Sequence, residues 1–233
     1  MEKQPNKVIR VIRPTINETQ GARDLAEVTG QDIPSLDCYF QHMETGECFS
    51  HLAMGLGWPG PGPDYPGYVI VMAVEKTDAE TPMIYCLEEA EAPGVDKIIG
   101  EALDLRKKYG FGLSERLLSG CFGDRRLEEA VNNYNRQLPH HERLSITEPK
   151  DFDGNFLELY AHRLQEGLNG QLDLRGCQIL RNRLFSAPPD LTEANYKKYP
   201  AIFAAGGLYY TLTGNRPWLQ DGGGAFTVDD GFE

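Results

Sequence analysis

Four side chains with an affinity for soft metals lie within fourteen residues near the start of the chain. They are Cys38, His42, Cys48 and His51, in the pattern C-x3-H-x5-C-x2-H. Thiolate and imidazole ligands in that number suit a structural zinc ion. A helix over Pro34–His42 would place His42 one turn after Cys38, on the same face. The competing reading is a buried cysteine on each element and two surface histidines, because short Cys/His clusters are unspecific. Other patterns point away from chemistry. Gly55, Gly57, Gly60 and Gly62 precede no helix and have no Lys-Ser/Thr partner. They form neither a phosphate loop nor a dinucleotide fingerprint. Ser119 lacks the Gly-x-Ser-x-Gly elbow of a hydrolase nucleophile and reads as a strand residue. His140-His141 reads as part of a solvated loop. Asp124 reads first as a helix N-cap, and Glu88-Glu89 as the solvated end of a strand.

The elements that would position these residues are legible from periodicity. Cys48–Trp58 is an extended apolar segment. Pro59–Gly67 holds four prolines and three glycines, which forbid helix or strand. Tyr68–Glu75 is rich in β-branched residues and is the clearest buried strand, and Met83–Glu89 is the next. Three successive strands with polar turns predict an antiparallel meander. The period then changes to 3.6 over Gly94–Tyr109, with Arg106, Lys107 and Lys108 in the last turn. A fourth strand is expected at Arg116–Phe122 and a helix from Asp124 to about Asn135. A short strand at Leu144–Thr147 and a helix at Asp151–Gly167 follow. Gln171–Leu174 is extended, Gly176–Leu184 helical, and Tyr199–Thr213 a buried helix with Pro200 in its first turn. Within that helix, Gly206-Gly207 is expected to allow close helix–sheet packing. The order β-β-β-α-β-α-β-α predicts an α/β fold, a mixed sheet with helices on both faces.

Three segments are expected. Residues 1–33 form an N-terminal arm, in which Lys7–Ile12 is an edge strand or docks elsewhere. Residues 34–218 form the domain, and 219–233, with three consecutive glycines and four acids, a disordered acidic tail.

The 233 residues carry 23 Lys+Arg against 35 Asp+Glu, a net charge of −12. That excludes a uniformly basic nucleic-acid coat and a polybasic membrane binder. No apolar run is long enough to span a bilayer, and the N-terminus has no apolar signal core. Five widely spaced cysteines argue against a disulfide framework. A cytoplasmic protein is expected.

Residues 51–214 resemble the nuclease domain of phage terminase large subunits, a ribonuclease H-like fold. The resemblance rests on Gly55-Leu56-Gly57-Trp58-Pro59-Gly60 at the first strand and on Pro66–Val74 leading into the second. It continues in Leu87-Glu88-Glu89, Lys108-Tyr109-Gly110, Gly123-Asp124 and Leu168–Leu184. It implies a first strand paired antiparallel to the second and parallel to the fourth. It also implies a two-metal nuclease, in which carboxylates hold Mg or Mn ions that activate water. Carried over residue by residue, the implied catalytic set is Asp124, Glu75 and Glu88, with Glu89 a further neighbour. Asp124 and Glu88 are the implied metal ligands.

The departures from the family matter more. The central acid of the first strand aligns with Gly57. The late helix, Ala201-Ile202-Phe203-Ala204-Ala205, lacks its acid. The terminase ATPase motor is absent from this chain. The expectation is a phage or prophage protein linked to DNA packaging, with catalysis weakened or lost. The alternatives are an active metal-dependent endonuclease and a structural or interaction module of a phage particle. Expected partners are other packaging proteins and, at best, weak non-specific DNA. A basic cluster of Arg106, Lys107, Lys108, Arg116, Arg125 and Arg126 is the place for the latter.

Overall fold

The computed structural model describes residues 8–12, 39–60, 64–77, 79–109, 117–119, 125–139, 143, 146–147, 156–187 and 198–213. The strands are β1 (Ile9–Ile12), β2 (Tyr39–His42), β3 (Cys48–Gly57), β4 (Gly67–Glu75), β5 (Ile84–Ala92), β6 (Leu117–Ser119), β7 (Ile146–Thr147) and β8 (Leu172–Asp173). The helices are α1 (Val95–Tyr109), α2 (Arg125–Gln137), α3 (Phe156–Leu168), α4 (Gln178–Ser186) and α5 (Pro200–Thr213).

The expected meander is present. β3 pairs antiparallel with β4, and β4 antiparallel with β5. β6 then lies parallel to β3, with Met54 opposite Leu117 and Leu56 opposite Ser119. β7 lies parallel to β6. The order β5-β4-β3-β6-β7, with these directions, is that of the ribonuclease H-like sheet. β8 adds a parallel strand outside β5. On the other flank, β2 pairs with the opening residues of β3 and β1 with β2. Of the segment Lys7–Ile12, Ile9–Ile12 takes the edge-strand reading, with Ile9 buried in the core, and Lys7 lies outside the described residues.

β4 is central because both its faces are apolar, so alternate residues enter two different cores. Tyr68, Ile70, Met72 and Val74 face α3, α4 and α5. Val69, Val71 and Ala73 face α1, whose buried stripe is Ile98, Ile99, Ala102, Leu105 and Tyr109. That spacing is the helical period read in the sequence. α5 carries no charge and is buried along most of its length, from Ala201 to Leu212.

One expected element is corrected. Pro34–His42 does not end as a helix, because Tyr39–His42 is strand β2, with Phe40 opposite Phe49. Apolar residues at 3–4 spacing over so short a run fit a helix face, but pairing with β1 and β3 satisfies the backbone better here.

Candidate functional site

In a ribonuclease H-like sheet the first strand, here β3, and the late helix, here α5, meet where the family's carboxylates stand. In this chain they meet backbone to backbone. A Cβ built on Gly57 would lie 2.2 Å from the Pro200 carbonyl oxygen and 2.8 Å from its carbon. A Cβ on Gly55 would lie 2.7 Å from the Ala204 oxygen and 3.2 Å from Leu208 Cβ. Pro200, Ala204 and Leu208 follow one another at four-residue spacing and form one face of α5. The two glycines, alternating along the strand, form the flat surface on which that face lies. Gly57 is therefore more than a missing acid: the volume a side chain would need is filled by α5 itself.

Gly206 and Gly207 lie on the opposite side of α5. A Cβ on Gly206 would sit 2.4 Å from Tyr160 Cβ, and one on Gly207 3.1 Å from the Tyr160 ring. These glycines admit α3, a helix, and not the sheet as the sequence suggested. α5 is thus wedged between β3 and Tyr160.

The acids of the third strand are separated by an irregularity. Val71 pairs with Glu88 and Met72 with Cys86, so Leu87 is an extra residue and the alternation reverses. Glu89, and not Glu88, therefore shares the face of Cys86, and Glu88 points to the other. Glu88 lies on the α1 face, where Lys108 Nζ meets it at 2.6 Å and the Tyr109 hydroxyl donates to it at 2.9 Å. Burial, and then the Glu88 charge, hold the Tyr109 hydroxyl well above the usual phenol range. Glu89 lies on the α5 face, and both its oxygens are engaged. Ile179 N donates to Oε1 at 2.7 Å; Leu180 N and the Tyr68 hydroxyl donate to Oε2 at 2.9 and 2.7 Å. Glu89 thus caps the first turn of α4, whose own N-cap residue, Cys177, makes no side-chain capping bond. Burial, followed by the Glu89 charge, raises the Tyr68 hydroxyl well above its ordinary range.

The remaining candidates do not join them. Glu75 ends β4 opposite Phe49, eight positions along β3 from Gly57, which is roughly 26 Å at 3.3 Å per strand residue. Its Oε2 accepts from Met83 N at 3.4 Å. Asp124 lies outside the described residues. Among the described residues no group of three or more His, Cys, Asp or Glu is placed to hold a metal ion. Among the described residues the donors do not fit a pair of divalent cations: position 57 is closed, α5 has no acid, Glu89 already accepts from three protein donors, and Glu88 lies on the other face.

Of the Cys/His set, Cys38 lies outside the described residues. His42 lies on a strand, so the one-turn relation to Cys38 does not apply. His42 Nδ1 accepts from Thr45 N at 3.2 Å, Cys48 Sγ donates to the Gly46 carbonyl at 3.6 Å, and His51 Nδ1 lies 3.0 Å from Ser50 Oγ. In the basic cluster, Arg106 donates to the Arg143 carbonyl at 2.7 Å and Lys108 is held by Glu88. Arg125 and Arg126 open α2, and Arg116 lies outside the described residues.

Two contacts were not anticipated. Arg175 grips Glu47 in a two-pronged ion pair at 2.6 and 2.8 Å and stacks 4.0 Å from the Tyr85 ring centre. That pair ties the β2–β3 turn to the segment between β8 and α4, and the Arg175 hydrogen bond lowers the Glu47 carboxyl to about 2. Arg183 forks onto Glu91 at 3.0 and 3.1 Å. No local pattern marked either, because the partners are 128 and 92 positions apart in the chain.

No family model matches the chain, and no curated protein does. Among solved structures, it is similar to the large terminase nuclease domain of bacteriophage SPP1, determined with bound Mn. The two are 19% identical and superpose with a TM-score of 0.40, over 67% of this chain and 85% of that one. Among the described residues no helix is long and apolar enough to cross a membrane. The fold is ribonuclease H-like by the order and direction of its own strands, and α5 fills the space a side chain at position 57 would need.

Proposed function

We propose that the chain is a phage or prophage protein of the DNA-packaging apparatus that keeps the nuclease framework without the nuclease. The packaging role is supported by the motif order over residues 51–214. The loss of catalysis is supported by one observation above the others, the Pro200 carbonyl oxygen 2.2 Å from where a Gly57 side chain would begin. A two-metal centre needs carboxylates converging from several elements. Here the strand acids are engaged with helices instead.

The chain then acts by contact with other packaging proteins. Any DNA binding is weak and non-specific. A net charge of −12 opposes a polyanion, and binding that rests on counterion release weakens as salt rises. The decisive assay incubates the full chain with supercoiled plasmid and Mg or Mn. The expected result is no nicking, together with duplex binding that disappears as salt rises. Metal-dependent nicking that Asp124→Ala abolishes would establish the active endonuclease instead. Binding that persists at high salt would contradict the contact role. The packaging assignment is tested separately, by co-purification with a phage packaging ATPase or portal protein.

A further inference from the structure

The side chains of β5 that face α4 form a row. Cys86, Glu89 and Glu91 lie on one face because of the extra residue at Leu87. Each meets the start or the body of α4. Glu89 holds the amides of Ile179 and Leu180, and Glu91 holds Arg183. The third contact of the row joins the two cysteines. Cys177 Sγ donates to the Cys86 carbonyl oxygen at 3.7 Å, and both side chains lie in the same buried core. Cys86 is wholly buried and Cys177 is 2% exposed. Both are free thiols, and Glu89, three residues from Cys86, fixes the backbone two residues beyond Cys177. Two free thiols are thus held in one buried core, on β5 and at the start of α4.

We infer that Cys86 and Cys177 are an oxidisable dithiol that closes to a disulfide under hydroperoxide, stapling β5 to the first turn of α4. The first thiol gives up two electrons to the peroxide, whose O–O bond breaks, leaving a sulfenic acid and one water. The second thiol attacks that sulfur: the S–S bond forms and the S–O bond breaks. The leaving hydroxide takes the second thiol's proton as another water. Cys177, at the helix N-cap, is the sulfur oxidised first, and Cys86 resolves it. Closure spans 177 − 86 = 91 positions of chain. A cross-link of that length constrains the unfolded chain strongly. The Cys177 contact and burial push the Cys86 thiol up, so it stays protonated and the reaction is slow.

The test treats the folded full chain with hydrogen peroxide, quenches it, alkylates free thiols in denaturant, and maps the peptides without reduction. The expected result is one intramolecular peptide pair joining Cys86 to Cys177. Both positions lose their alkylatable thiol, and the rise in melting temperature is reversed by dithiothreitol. Cys177→Ser abolishes the pair and the rise. Should that variant not fold, the peptide map of the unsubstituted chain decides alone. Recovery of Cys86 and Cys177 as thiols or as sulfinic acids overturns the inference. Linkage of either to Cys38, Cys48 or Cys121 overturns it as well.

Discussion

Replacing Gly57 by alanine adds one methyl group where the structure has least room. The new carbon would stand 2.2 Å from the Pro200 oxygen and 2.8 Å from its carbonyl carbon. Close carbon–oxygen contacts lie at about 3.3–3.6 Å, so α5 must withdraw from β3 by about 1 Å. Withdrawal carries it toward α3, where Gly206 already lies flat on Tyr160 and even a Cβ would meet Tyr160 Cβ at 2.4 Å. Neither obstacle is the flexible end of a side chain. Forcing extra volume into a packed core costs about 1–3 kcal/mol, occasionally more. Backbone on both sides of the helix puts Gly57→Ala near the top of that range, at about 3 kcal/mol. For a chain of this size each kcal/mol lowers Tm by about 2–4 °C, so the expected fall is about 6–12 °C. Gly57→Asp costs still more, because its carboxylate would enter beside a carbonyl oxygen with no donor offered. It restores no nuclease activity. Urea unfolding with an unchanged slope is the assay. Gly100, inside α1, is the control: nothing lies within 4 Å of its Cβ position, so Gly100→Ala stabilises by about 0.5–1 kcal/mol. A Gly57→Ala protein within about 0.5 kcal/mol of the original, below the cost of any forced repacking, refutes the packing argument. Manganese-dependent nicking by Gly57→Asp refutes the reading of the closed site.

Glu89→Ala leaves the buried Tyr68 hydroxyl and two α4 amides without their acceptor. A loss of about 2–4 kcal/mol is expected, with faster amide exchange at Ile179 and Leu180. Glu88→Gln, at a pair with side chains 43% and 32% exposed, changes stability by less than about 1 kcal/mol in the same unfolding assay. The Glu47 carboxyl, lowered from 4.5 to about 2 by Arg175, contributes stability that is fully present above the unfolded value and is lost as pH falls through the folded one. The Tm gap between the natural chain and Glu47→Gln is therefore constant near neutrality and closes between 4.5 and about 2. Both side chains are about a third exposed, so the gap corresponds to less than about 1 kcal/mol. A gap that widens as pH falls contradicts the assignment.

Period and composition were enough for the framework. The β-branched run of β4 can only be a strand buried on both faces. The stripe from Ile98 to Tyr109 fits only a helix lying on a sheet. Edges were harder. Tyr39–His42 has few residues and mixed polarity, and its state is decided by β1, a strand 27 positions earlier in the chain, counting from Ile12 to Tyr39. Pairing at that range leaves no local pattern. The site was half legible. The absence of acids at Gly57 and in α5 is plain in the sequence. That the glycine is occupied by a helix depends on a contact 143 positions away, from Gly57 to Pro200. Which of Glu88 and Glu89 faces which core is set by one extra residue at Leu87, which shifts the alternation without any glycine or proline to announce it.

That extra residue also bears on why the acids remain. A carboxylate turned toward a core must meet a cation or several donors, or it costs several kcal/mol. In a metal-dependent nuclease the divalent ions meet that need. Here each acid of β5 has a protein group in their place. Glu88 takes Lys108 at the end of α1, Glu89 takes the first turn of α4, and Glu91 takes Arg183. Three adjacent helix contacts are thus made by carboxylates on one strand. A metal ion near Glu89 would have to displace two amides and a hydroxyl and so release the start of α4. A closed β3–α5 junction and a liganded Glu89 are independent obstacles. Opening the first leaves the second engaged, and freeing Glu89 does not make room at Gly57. Recovery of catalysis would require changes on β3, α5 and β5 together, so no single substitution is expected to bring it back.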